Sequence, residues 1–321
     1  MSEQVSHLKK ICTAMLLTAV LLLSGCEDIS SADVTTDTDV SVTSLGEAVL
    51  SVGGEGGETL PEGYPVVIND TEIRTPPEKV ICLSGGLAEM IYELGFGDKL
   101  IGRGSYCEYP EQVAALADHG RPTAPDLEGI KKAAPDVVLT ATRMQSRDIV
   151  SLSESGIKVV YIPASRSLDE FGRVYCALGM MFEGMFDGEE IGNKAFYAVK
   201  NKLSESGIEL GRFVYITEGL RAAGGDTFEG SVLSLFGTNA AESASGYSYD
   251  VMQLIAAPPD VVILNSEISL AELAVSDSIG FLAAGRVISV SNSYFESPSG
   301  RLTELADELA DKLAETGGDP E

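Results

Sequence analysis

From Tyr64 to about Ala314 the chain alternates short apolar runs with longer amphipathic ones. That alternation predicts strands and helices in turn, an α/β fold with parallel sheets. The expected strands of a first lobe are KVICLS (79–84), KLIGRGS (99–105), DVVLTA (136–141) and KVVYIPA (158–164), with helices between them at LAEMIYELG, LEGIKKAA and IVSLSESG. A second lobe repeats the scheme with FVYITE (213–218), DVVILN (260–265) and RVISVS (286–291), and closes with the amphipathic RLTELADELADKLAE. The phrase GIKKAAPDVVLT at 129–140 returns as QLIAAPPDVVIL at 253–264. In each copy a proline ends a helix and Asp-Val-Val opens a β-branched strand, so the phrase is a helix-to-strand junction. A spacing of about 124 residues exceeds the periods of solenoids and propellers and points to two lobes of like fold.

Between the lobes, DGEEIGNKAFYAVKNKLSES (187–206) places Ile191, Ala195, Phe196, Ala198, Val199 and Leu203 on one helical stripe. Acids begin it and lysines lie near its end, as the helix dipole prefers. The expected fold is therefore two Rossmann-like lobes, 64–186 and 207–316, joined by one long helix over 187–206. Ligands of such lobes bind where the carboxyl ends of the strands meet the cleft.

The N-terminus reads differently. Lys9 and Lys10 precede an apolar run from Ile11 to Leu23, too short to span a bilayer comfortably. Residues 1–25 read as an export signal, or alternatively as a buried helix. Leu23-Ser24-Gly25-Cys26 resembles the bacterial lipobox, which would leave Cys26 as a lipid-bearing N-terminus. Residues 26–63 are rich in Ser, Thr, Gly and acid, too poor in apolar groups to offset the entropy of ordering. They read as a tether with a reach of roughly 30–35 Å.

Charge narrows the partners. The chain carries 22 Lys+Arg against 49 Asp+Glu, a net charge of −27. Losing Lys9, Lys10 and Glu3 with the signal leaves 20 against 48, or −28. Such a surface repels nucleic acid and leaves membrane attachment to the lipid. Cys82, Cys107 and Cys176 remain after Cys12 and Cys26 are set aside, and their scatter fits no CxxC metal site. His119, in LADHGRP, is the one histidine left and reads as a loop residue. With no G-x-S-x-G elbow, no catalytic set emerges, so no enzyme is expected. Arg143 and Arg221 each follow an expected strand and are candidates for a ligand carboxylate or phosphate, or else solvated loop charges.

Three stretches, 76–113, DLEGIKKAAPDVVLTA (126–141) and SYFESPSGRLTELADELADKL (293–313), resemble the substrate-binding proteins of ABC importers for iron complexes and cobalamin. The resemblance covers Tyr64 to Leu313 and is weak from Gly219 to Gly246. It implies a class III periplasmic-binding fold, a monomer exported and lipid-anchored on the extracytoplasmic face, periplasmic in a diderm cell. Its partners would be an ABC permease with its ATPase. The ligand would be a ferric siderophore, haem or a corrinoid, with no resident cofactor or metal.

By the same resemblance Ser84, Gly85 and Gly86 form a ligand loop, Tyr106 faces the ligand, and Tyr294 and Phe295 form the aromatic loop of the second lobe. Tyr109 reads instead as a half-buried core ring. Glu128, seven residues before Pro135, holds the position that docks on the permease, and equally suits a helix N-terminus. Its counterpart in the second lobe is Met252, so Asp250, nine residues before Pro259, or Glu242 would substitute. The chain lacks tryptophan, which often lines cobalamin pockets in this family. A sensor subunit and a carboxylate-based divalent metal binder are the alternatives.

Overall fold

The β-branched runs become strands only three to seven residues long, cut short by Gly, Pro and Asp. The computed structural model describes residues 59–248, 254, 257–268 and 286–316. Cys26, the signal, most of the tether, Asp250 and Met252 lie outside them. A hairpin of β1 (Val66–Ile68) and β2 (Thr71–Ile73) opens the first lobe. There follow β3 (Val80–Cys82), β4 (Leu100–Arg103), β5 (Ala117–Asp118), a small hairpin of β6 (Gly120–Arg121) and β7 (Ala124–Pro125), then β8 (Val137–Thr140) and β9 (Lys158–Tyr161). The main sheet has the order β5-β4-β3-β8-β9, with every pair parallel. Its central strands β3 and β8 are buried at every position, which is why they read as unbroken apolar runs. Helices α1 (Gly85–Glu93), α2 (Glu111–Ala114), α3 (Leu127–Ala133) and α4 (Ser146–Ser153) make the crossovers.

The second lobe is built on β10 (Gly211–Thr217), β13 (Val261–Asn265) and β14 (Arg286–Val290), which pair in parallel in that order. Two short strands also join β10: β11 (Arg221–Ala222), antiparallel, and β12 (Gly237–Asn239), parallel. The architecture is thus the expected pair of parallel α/β lobes.

The repeated phrase contains a fastener that its hydrophobic pattern does not reveal. Asp126 caps α3, its Oδ1 accepting the Gly129 amide at 3.0 Å, and Ala134 closes the helix in the left-handed region at φ +47°. Asp136 then accepts the amides of Glu78 and Lys79 on Oδ2, at 2.8 and 2.9 Å, fixing the strand beside it. Asp260, its counterpart, accepts the Arg212 amide at 2.8 Å. Each lobe therefore uses the aspartate of its Pro-Asp-Val-Val to set the register of its first main strand. We expect Asp136→Ala to lower the unfolding free energy by about 1–2 kcal/mol. Asp136→Asn, which keeps an acceptor oxygen, should cost less; denaturant titration of both variants checks this.

The long helix is α6 (Met185–Ser204), and it does not join the lobes alone. Helix α5 (Leu168–Glu183) runs antiparallel to it, and only Gly184, at φ +79°, separates the two. A Cβ on Gly192 would lie 2.5 Å from the Cys176 Cα, and one on Gly188 would meet the backbone of Gly179 and Met180. The seam is therefore backbone against backbone. The start of α5 lies on the second lobe: the Leu168 amide donates to Ser231 Oγ at 2.9 Å, and Phe171 packs against Phe228 of α7 (Phe228–Leu233) at 5.7 Å between centroids. Its other end lies on the first lobe, where Phe182 stacks on Phe96 at 4.6 Å. The hairpin turn also holds the incoming chain, because the Met185 amide donates to the Gly63 carbonyl at 3.0 Å and the Tyr64 hydroxyl to the Met181 carbonyl at 3.0 Å. Two short elements follow β14: α8 (Ser293–Glu296) and the closing helix α9 (Leu302–Thr316).

Candidate functional site

The carboxyl ends of the two sheets meet where the segment after β3 touches the segment after α8. A Cβ on Gly86 would stand 2.6 Å from the Pro298 carbonyl oxygen, and one on Gly85 would stand 3.3 Å from the Tyr106 carbonyl and 3.4 Å from Ser297 Oγ. The two glycines make room for the second lobe. Ser84 is committed to the frame as well, since its Oγ accepts the Ala141 amide at 2.8 Å and ties the end of β3 to the end of β8.

The other expected site residues separate into exposed and buried. Tyr106 is 71% exposed on the loop after β4, and Arg121 Nη1 donates to its hydroxyl at 3.4 Å. Arg143 is exposed beyond β8, its guanidinium 4.6 Å from the centre of the Tyr161 ring. Arg221 is exposed on β11 and donates from Nε to the Glu218 carbonyl at 3.4 Å. Tyr294 and Phe295, expected on a ligand-facing loop, belong to the core instead. They are 9% and 8% exposed, and Phe295 packs edge-on to Tyr215 at 5.2 Å and lies 6.4 Å from Phe228. Burial, with Glu308 beside it, pushes the Tyr294 hydroxyl up to about 12. Glu128 is exposed in the first turn of α3 and makes no ion pair among the described residues. Tyr109, read as a half-buried ring, is 46% exposed beneath the Arg301 guanidinium. His119 is a loop residue, in the one-residue link between β5 and β6, yet it is buried at 6% exposed, between Gly102 and Gly129.

Residues 80–188 match the family described as periplasmic binding protein. The match spans 109 of the chain's 321 residues, the first lobe and the start of the helical hairpin. Among curated proteins, this chain is 24% identical over 276 residues to an uncharacterized ABC transporter substrate-binding lipoprotein, YvrC, of Bacillus subtilis, covering 78% of this chain and 86% of that one. It is 22% identical over 260 residues to a cobalamin-binding protein of Halobacterium salinarum, covering 75% and 70%. In fold it resembles a periplasmic solute-binding protein of Staphylococcus epidermidis, described as possibly iron-binding, with a TM-score of 0.60 at 20% identity over 74% of this chain and 99% of that one. Members of the family bind substrates for transporters and are not enzymes.

The chain also carries a charged feature that a search for aromatics passes over. Glu218 follows β10, Glu267 follows β13 and Glu296 follows β14 through α8, so three carboxylates stand beyond the carboxyl ends of the main strands of lobe two. A hydrogen bond to Glu218 and the charge of Glu296 raise the Glu267 carboxyl above its ordinary value. Asn292 supports the group, donating to Glu296 Oε1 at 2.7 Å and accepting from the Tyr215 hydroxyl at 3.4 Å. Asking which charge follows each expected strand would have found these residues. Among the described residues no cluster of His, Cys, Asp and Glu is placed to hold a metal ion.

The first lobe supplies the opposite sign in Arg121, Arg143 and Arg166. Arg166 acts across the lobes: the Asp226 carboxyl is held low chiefly by the Gly246 amide, then by Ser245, with Arg166 adding to them. A separate groove of about 890 Å³ runs between β1, the segment after β9 and the helical hairpin, past Pro163, Cys176, Met180 and Tyr197. It adjoins the hairpin rather than the meeting point of the two sheets.

Proposed function

We propose that this protein is the lipid-anchored receptor of an ABC importer and captures a flat metal chelate between its lobes, a corrinoid before haem or a ferric siderophore. The observation that carries the reading is the meeting of the two carboxyl-terminal sheet edges across a bridge too tightly packed to flex freely. Such a cleft is preformed, so little of the interaction energy is lost to ordering. Its walls differ in charge: Tyr106, Arg121 and Arg143 on one lobe, Glu218, Glu267 and Glu296 on the other. The amide N–H groups around a corrin ring suit carboxylate acceptors, whereas haem propionates are repelled by them. The cobalamin-binding protein among the relatives supports the same order of preference. Tyr106 offers ring area at small entropic cost, and Arg143, already seated over the Tyr161 ring, is preset to meet an acceptor.

Cys26 is the attachment point in this reading, anchoring the protein on the extracytoplasmic face, and Glu128 with Asp250 or Glu242 would meet the permease. The test is a melting-temperature panel on the purified protein with cobalamin, cobinamide, haem and ferric siderophores. A ligand at a hundred times its dissociation constant adds about 2.7 kcal/mol of stability. Cobalamin or cobinamide should give the largest shift, and Arg143→Ala or Tyr106→Ala should abolish most of it. A shift with haem alone would overturn the preference, and no shift with any chelate would overturn the receptor reading in favour of a sensor.

A further inference from the structure

Beyond the cleft, the two lobes are held together at a second place, where two carboxylates of lobe one receive a loop of lobe two. Glu89 and Glu93 lie one turn apart on α1, and Glu89 is only 5% exposed. Ser299, 1% exposed, donates its hydroxyl to Glu89 Oε2 at 2.6 Å. The Gly300 amide donates to both oxygens of Glu93, at 2.9 and 3.0 Å. Arg301 stands 4.0 Å from Glu89 Oε1, with its guanidinium 4.7 Å from the centre of the Tyr109 ring and its Nε 3.4 Å from Glu304. Tyr175 of the hairpin completes the arrangement, donating its hydroxyl to Glu93 at 2.5 Å. The three parts of the fold that set the width of the cleft, lobe one, lobe two and the bridge, thus meet on one pair of acids.

We propose that this contact is a proton-operated latch: a proton on Glu89 keeps the 299–301 loop of lobe two seated on lobe one, and loss of that proton loosens it. The groups facing Glu89 are Glu93 on its own helix, Cys107 on the loop after β4, Tyr175 on α5, Ser299 and Arg301 on the loop, and Glu304 on α9. Only Arg301 among them is a cation, and at 4.0 Å it makes no close contact with the carboxylate. Burial is the largest influence and outweighs Ser299 and Arg301, so the Glu89 carboxyl is raised to about 7 from its ordinary 4.5.

The sign follows from linkage. Lifting the loop rehydrates Glu89 and returns its affinity for protons to the ordinary value, so the seated form binds the proton more tightly. Protons therefore favour seating: the effect is full below about pH 4.5 and is lost as pH rises through about 7. A difference of about 2.5 pH units corresponds to a change of up to about 300-fold in the ratio of lifted to seated loop. Acid would then hold the lobes shut around a ligand, and neutral pH would ease release.

Hydrogen exchange of the Gly300 and Arg301 amides tests the latch on the ligand-free protein, independently of what the cleft binds. With the base-catalysed rate divided out, protection in the wild type should fall about 60-fold between pH 5 and pH 7.5. Glu89→Gln, a permanently neutral isostere, should stay protected and flat across that range. A wild type with no slope, a Glu89→Gln variant with the wild-type slope, or one unprotected at every pH would each overturn the proposal. Glu93→Gln removes a charge that raises the Glu89 carboxyl, so its midpoint should move to lower pH. If Glu89→Gln does not fold, an unmoved midpoint in Glu93→Gln overturns the proposal instead.

Discussion

Phe171→Ala is expected to lower the unfolding free energy by about 3–5 kcal/mol, the range for truncating a fully buried aromatic ring. Phe171 is 0% exposed and stands at a junction of three bodies. Its ring lies edge-on to Tyr175 of its own helix at 5.1 Å, to Phe196 of α6 at 6.3 Å, and tilted against Phe228 of lobe two at 5.7 Å. Each aromatic pair adds about 0.5–1.5 kcal/mol beyond its burial, so the upper part of the range is the expected one. Phe171→Leu keeps much of the volume and should cost about half as much. Denaturant unfolding measures both, and a loss below about 1 kcal/mol in Phe171→Ala would mean that the junction collapses around the gap.

Gly188→Leu should be comparably severe for the opposite reason. A Cβ there meets the backbone of Gly179 and Met180, and a main chain cannot rotate aside as a side chain can. Gly188→Ala gains about 1 kcal/mol in helix propensity yet still forces the seam apart, so it should lose about 1–2 kcal/mol net. Leucine at the same place should lose about 3 kcal/mol or more and, by splaying the hairpin, weaken chelate binding as well. Thermal unfolding and ligand titration of the two variants separate these effects. Equal stability of Gly188→Ala and wild type would contradict the close approach of the helices.

The sequence revealed most where one physical rule dominated. The buried strands β3, β8, β10 and β13 read directly from Val and Ile runs, because strands covered on both faces need no alternation. Helix α5 was harder: Phe171, Val174, Tyr175, Leu178, Met181 and Phe182 surround it with buried contacts on two lobes and on α6, which blurs the amphipathic stripe a reader looks for. Strands β11 and β12, Arg221–Ala222 and Gly237–Asn239, are too short and too polar to signal themselves, and exist because β10 offers an edge.

In the site, charge and exposure were legible at Tyr106, Arg143 and Arg221, which are exposed beyond the ends of β4, β8 and β10. Tyr294 and Phe295 misled because an aromatic pair just after a strand serves equally to close the core beneath the cleft. At Gly85 and Gly86 the sequence recorded a close approach without saying what approaches, and the structure places Pro298 and Ser297 of the second lobe there. The role of Glu89 was invisible for a different reason: its partner Ser299 is 210 positions away, so no local pattern could record it.

The attachment of Gly63 and Tyr64 to the hairpin turn has a mechanical consequence. A pull transmitted along the chain into residue 62 reaches Gly184, Met181 and Met185 first, the turn of the two helices that both lobes share. Load enters along the common axis rather than at the rim of one lobe, so tugging on the leading end hauls the whole frame without prying its halves apart.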